Sequence, residues 1–247
     1  MAAPYDGAPS APPMPAPVTV VSPQFCAPYV VPLTVTKKAL SLSDGDFTVT
    51  DANGAVVLKV KGSIFSVRHR RVLVDAAGQP ILTMTEKVPA VEIFLSFSEK
   101  LLLPCFVSIH GFWRRKKQNA LIHDQVFSLH NRWEVYRGDS TNASDLLFTA
   151  KKASIVQLKT AIDVFLAGNT SEHICDFKIR GSYFERSCAF YLGNSDTMIA
   201  QTNRKFTVTN VLLEKDTFTV TVFPHVDYVF IAALVVILDE IHRERLD

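Results

Sequence analysis

The chain has 247 residues, 48% of them apolar and 20% charged, enough core-forming material for one large domain or two small ones. A formal net charge of +2 and a pI near 8.3 lie too close to balance to mark a nucleic-acid binder by charge alone. Four cysteines, Cys26, Cys105, Cys175 and Cys188, show no C-x-x-C pair and no regular spacing. They read as reduced, buried thiols, which argues against a zinc site or a disulfide framework.

Taken in chain order, the first element is a leader. Nine of the 13 prolines fall within the first 32 residues, mixed with Ala and Ser. Such a stretch packs no core, so residues 1–32 are expected to form a disordered or polyproline-like leader. Its Pro12-Pro13-Met14-Pro15 cluster could dock on an aromatic groove, although a flexible leader is the plainer expectation. No basic start followed by an apolar core is present, so a signal peptide is not expected and an intracellular protein is.

From Leu33 the pattern changes to short alternating runs separated by turns. Asp46–Thr50 alternates, Asp51-Ala-Asn-Gly54 supplies the Asn-Gly pair of a tight hairpin, and Ala55–Val60 returns. A second hairpin joins Arg71–Asp75 to Ile81–Glu86 through Ala76–Pro80. Further strands are expected at Arg132–Tyr136, Leu146–Ala150, Ile155–Leu158, Ile162–Leu166 and Ile174–Arg180. After these come Ser187–Leu192, Thr197–Gln201, Phe206–Asn210 and Thr217–Val222. In the last, Phe218, Val220 and Val222 share one face while three threonines share the other, as in a strand with one buried and one wet side.

The final element is an uncharged apolar run of 11 residues, Tyr228–Leu238. A helix with no polar face must be surrounded on all sides. About 20 residues are needed to cross a bilayer, so protein is the better container and no transmembrane span is expected. Pro224 suits the first turn of a helix over about 225–244, Asp227 its positive end, and His242, Arg243 and Arg245 its negative end. A sandwich has no room for such a rod, whereas a closed barrel does. The expected fold is therefore all-β with one central helix: a closed antiparallel barrel of about 12 strands over residues 33–247. Its core helix would bury Tyr228, Phe230, Ile231, Leu234, Val235 and Leu238.

Several ordered segments carry a family resemblance: Phe25-Cys-Ala-Pro-Tyr29, Trp133-Glu-Val-Tyr-Arg-Gly138, Gln157-Leu-Lys159, Asp163-Val-Phe-Leu166, Cys175-Asp-Phe177, Gly181–Cys188, Val226-Asp-Tyr228 and Ile231–Asp239. The sequence resembles the plant LURP-one-related proteins, of the tubby-like superfamily that includes the phospholipid scramblases. The resemblance covers roughly Phe25 to Glu86 and Val126 to Arg245. It implies a tubby-like barrel, a role in plant defence, and a cytoplasmic location with access to the plasma membrane or the nucleus. It carries over no catalytic signature. Residues 88–125 depart from the family pattern. Valine codons begin GT and one glutamine codon ends AG, the boundary bases of an intron. Translated intron sequence is the expectation there, a looped-out lineage-specific insert the alternative. The insert also holds Arg114-Arg-Lys-Lys117, similar to a nuclear import patch.

Motifs for chemistry are few. The glycines are too dispersed for a phosphate-cradling loop, and neither H-E-x-x-H nor G-x-S-x-G occurs. Glu214, Asp216 and Asp227 are too sparse for a calcium loop. No enzyme, metal or cofactor is expected. What remains is a series of basic doublets, Lys37-Lys38, Arg70-Arg71, Lys151-Lys152 and Arg204-Lys205, with Lys178 and Arg180 alternating on one strand face. The resemblance implies that basic residues on the barrel could bind phosphoinositides, and Lys178, Arg180, Arg204 and Lys205 are the head-group candidates. The plainer reading of any such pair is a solvated strand face. Two functions follow: a non-enzymatic regulator at anionic membrane surfaces, or a protein-interaction scaffold that uses the proline-rich leader and binds no lipid. Trp133, Val135, Phe184, Phe190, Tyr191 and Cys188 read as packing groups.

Overall fold

The structure, a computed structural model, describes residues 16–37, 47–62, 70–87, 132–153, 160–182, 187–204 and 216–243. Twelve strands form one closed barrel: β1 (Val31–Lys37), β2 (Phe47–Thr50), β3 (Val56–Gly62), β4 (Arg70–Asp75), β5 (Pro80–Lys87), β6 (Arg132–Arg137), β7 (Leu146–Lys152), β8 (Thr160–Leu166), β9 (Phe177–Ser182), β10 (Ser187–Leu192), β11 (Met198–Arg204) and β12 (Asp216–Val222). Each strand pairs antiparallel with its chain neighbours, and β12 closes on β1 from Val31↔Val222 to Lys37↔Asp216. Closure leaves no unpaired edge.

Alternation sets the two faces of the wall. Leu33 and Val35, Phe177 and Ile179, and Phe218, Val220 and Val222 all point inward and are buried. Asp51 closes the β2–β3 turn, its Oδ1 accepting from the N–H of Asn53 (2.9 Å) and Ala55 (2.8 Å). Gly54 there takes φ +81°, which a residue with a Cβ adopts at a cost.

The lumen is filled by α1 (Tyr228–Arg243). From Val229 to Leu238 no side chain is more than 3% exposed, so the rod is enclosed all round, and Tyr228 is half-buried at its start. Phe230 packs against Phe148 (ring centroids 5.1 Å) and Phe177 (4.8 Å), linking the helix to β7 and β9. Trp133, Val135, Phe190 and Cys188 lie in the same core. Tyr136 is also buried, but on the opposite face of β6, where its hydroxyl donates to Glu134.

Four expectations need correction. The leader does not extend to residue 32. Val18 and Val21 are buried, Val18 bridges Val226, Cys26 bridges Asp227, and β1 already begins at Val31. Prolines are tolerated there because the segment hydrogen-bonds around the helix start instead of joining a ladder. Residues 1–15 lie outside the described residues. β1 itself was hidden by that proline content; Pro32 sits within it with its side chain exposed. Third, the helix begins at Tyr228, so Pro224 stands in the turn before it rather than in its first turn. Finally, the strand expected from Ile174 starts at Phe177, after Asp176 has bonded back to Val164 and Leu166. The strands expected at Ile155–Leu158 and Phe206–Asn210, Phe184 and the insert 88–125 lie outside the described residues.

Candidate functional site

With the lumen filled, chemistry is left to the ends and the outer wall of the barrel. At the helix start Asp227 is wholly buried yet fully engaged. Its Oδ1 accepts from the N–H of Val229 and Phe230 (3.0 Å each), capping α1, while its Oδ2 accepts from Val21 (2.7 Å), Ser22 (3.2 Å) and Val20 (3.4 Å). One carboxylate thus ties residues 20–22 to the helix. Arg137 adds a bond from Nη1 to the Val21 carbonyl (2.9 Å). Near the other end, Glu240 accepts two bonds from Arg71 of β4 (2.9 and 3.2 Å), and Asp239 takes the Lys37 ammonium of β1 (2.8 Å).

These pairs explain what happens to the basic doublets. Adjacent residues of a strand point to opposite faces. Arg71 turns inward to the helix while Arg70 turns outward to Asp139. Lys37 also points inward, and Lys38 lies outside the described residues. Lys151 faces outward, where it and Arg132 share Glu172. The fully described doublet Arg70-Arg71 therefore makes no surface patch.

Two of the predicted head-group residues, Lys178 and Arg180, are also held. Lys178 and Arg180 do share the outer face of β9, with Phe177 and Ile179 in the core. The Arg180 guanidinium, however, binds Asp163 (2.6 Å) and the carbonyls of Ile162 (3.0 Å) and Ile179 (2.8 Å). Lys178 is only 14% exposed at its side chain; its ammonium lies over Tyr191 (5.5 Å to the ring centroid) and 3.9 Å from Asp196. Arg204 ends β11, separated from β9 by β10, and Lys205 lies outside the described residues.

Sequence reasoning passed over Lys59 and Lys61. Both are exposed on the outer face of β3. Among the described residues they are the two lysines without a carboxylate partner or other side-chain tie; the Lys59 ammonium reaches only the Ala76 carbonyl, at 3.5 Å. A methyl group built on Gly78 would lie 3.7 Å from Lys61 Nζ, so both ammonium groups flank the same β4–β5 turn. The nearby acids are occupied by their own turns: Asp75 accepts from Gln79 N–H (2.8 Å) and Asp51 from Asn53 and Ala55. The signal was the two-residue spacing inside Val57-Leu-Lys-Val-Lys61, masked by attention to adjacent pairs.

Above these lysines, toward the helix start, opens a cleft of about 310 Å³ lined by Tyr29, Pro32, Asn53, Val57 and Tyr228 among others. Of its lining Tyr29 is 66% exposed, and the adjacent Val30 is 43% exposed. Burial pushes the thiols of both Cys26 and Cys175 up, despite the Thr19 hydrogen bond to the first. Cys188 is buried. Among the described residues no helix is long and apolar enough to cross a membrane.

A twelve-stranded antiparallel barrel closed round an apolar helix is the tubby-like class of fold. Residues 31–239 match the LURP-one-related family model, and the chain belongs to that family. It is similar to LURP-one-related 15 of Arabidopsis thaliana, 43% identical over 98% of this chain and 94% of that protein. It also resembles protein LURP1 of the same plant, 36% identical over 92% of this chain and 91% of that one. A solved X-ray structure of an Arabidopsis thaliana protein superposes with a TM-score of 0.61 at 35% identity, covering 91% of this chain and 98% of the other.

Proposed function

We propose that this chain is a non-enzymatic regulatory barrel that works by associating with anionic membrane surfaces, phosphoinositides included, in the setting of plant defence. The observation that carries the reading is the filled lumen: with α1 enclosed from Val229 to Leu238, a ligand is met on the outer surface. That surface holds exposed lysines without carboxylate partners and the exposed apolar groups Tyr29 and Val30, a combination suited to negatively charged lipid. The defence setting follows from the family.

The test is sedimentation of the full chain with phosphatidylcholine vesicles, with and without phosphatidylinositol bisphosphate, at physiological ionic strength. Preferential sedimentation with the charged vesicles is expected. Equal behaviour with both vesicle types would remove the lipid function and favour the interaction-scaffold reading, for which partners should be lost on removing residues 1–15.

A further inference from the structure

We infer that the membrane-facing site is the outer face of β3, with Lys59 and Lys61 as the head-group contacts and Tyr29 and Val30 as the apolar contacts beside them. This deepens the membrane reading above and rests on it. Val57, Lys59 and Lys61 alternate along one outer face, and successive residues of that row stand about 6.6 Å apart. Val57 lines the cleft that Tyr29 also lines, and Val30, next to Tyr29 in the chain, is exposed, so the row of cations leads toward exposed apolar groups.

The choice over β9 comes from competition. An anion approaching Arg180 must displace the carboxylate of Asp163, and one approaching Lys178 must draw the ammonium from Tyr191 and Asp196. At Lys59 and Lys61 it displaces water and one long contact to a carbonyl. Two ammonium groups flanking one turn can meet adjacent phosphates of a multiply phosphorylated inositol, lysine acting as a point charge rather than a fork. A soluble inositol phosphate would satisfy the lysines alone. The exposed Tyr29 and Val30 select the lipid-borne form, because an aromatic ring with a polar tip favours the interface between head groups and acyl chains.

The experiment uses the full chain and the vesicles described above, with soluble inositol trisphosphate as a second probe. Lys59→Glu with Lys61→Glu is expected to lower binding to the charged vesicles by about tenfold or more. The milder Lys59→Gln with Lys61→Gln should lower it less, both with unchanged melting temperature. Lys178→Gln should change it little. Tyr29→Ser with Val30→Ser should weaken vesicle binding and leave inositol trisphosphate binding intact. If the parent chain binds charged vesicles and both lysine double variants bind them equally well, the placement on β3 is wrong while the membrane function stands. If the parent chain ignores charged vesicles, that function fails first. If the Tyr29/Val30 variant keeps full vesicle affinity, the patch is not a lipid-docking surface.

Discussion

Single residues carry unusual weight where they join the chain's two ends. Asp227 satisfies N–H groups of the helix and of residues 20–22 with one side chain. Asp227→Ala removes a helix cap and orphans buried donors, and is predicted to cost about 3 kcal/mol in denaturant unfolding. A loss within the range of an exposed substitution would show that water replaces the carboxylate. Its place near the positive end of the helix was legible in the sequence; its grip on residues 20–22 was not, since the partners are some 200 positions away. Glu172 works on the outer wall. Burial raises its carboxyl, but hydrogen bonds and charge from Lys151 and Arg132 outweigh this and hold it below the ordinary 4.5. A carboxyl held below its unfolded value contributes fully above that value and loses the contribution as pH falls through the folded one. The 167–176 loop should therefore loosen from β6 and β7 below about pH 4.5. Amide exchange across that loop, compared between the parent and Glu172→Gln, reads this out; equal pH dependence in both would contradict it.

At the scale of elements, α1 is apolar along its middle and acidic near its end. Glu240 and Arg71 are both buried, so removing one partner leaves the other's charge poorly compensated in the barrel. Glu240→Ala or Arg71→Ala alone is predicted to cost about 3–5 kcal/mol, and Arg71→Met with Glu240→Leu much less than the sum. Additive losses in the double-mutant cycle would mean the two groups act independently. Leu234→Asp places a carboxylate without a partner in the middle of the rod, and no soluble folded protein is expected. An unchanged melting temperature would refute that. The helix could be read from the 11 uncharged residues Tyr228–Leu238, because no other environment accepts them. β1 could not, because Pro32 and the prolines before it mimic a leader; Leu33 and Val35 reveal a strand only once β12 is set beside them.

The whole molecule is a wall and a rod that specify each other. Alternation in β2 to β12 and the apolar tail made the barrel legible, whereas the candidate surface was not. Basic doublets drew attention because they are conspicuous in sequence, but a strand sends one member of each pair inside. Among the described residues, carboxylates from other strands and loops then pair with Arg70, Lys87, Arg132, Lys151 and Arg180 on the outside, and that pairing exists only after folding. The central claim is that α1 is the barrel's interior rather than a segment that departs to lipid. Hydrogen exchange at the amides of Val229 to Leu238, with and without anionic vesicles, tests it most directly. The account predicts that these amides exchange only through global unfolding, with the same opening free energy as β7 and β9, whether or not vesicles are present. Faster exchange of the helix alone, or a vesicle-induced change confined to it, would contradict the account.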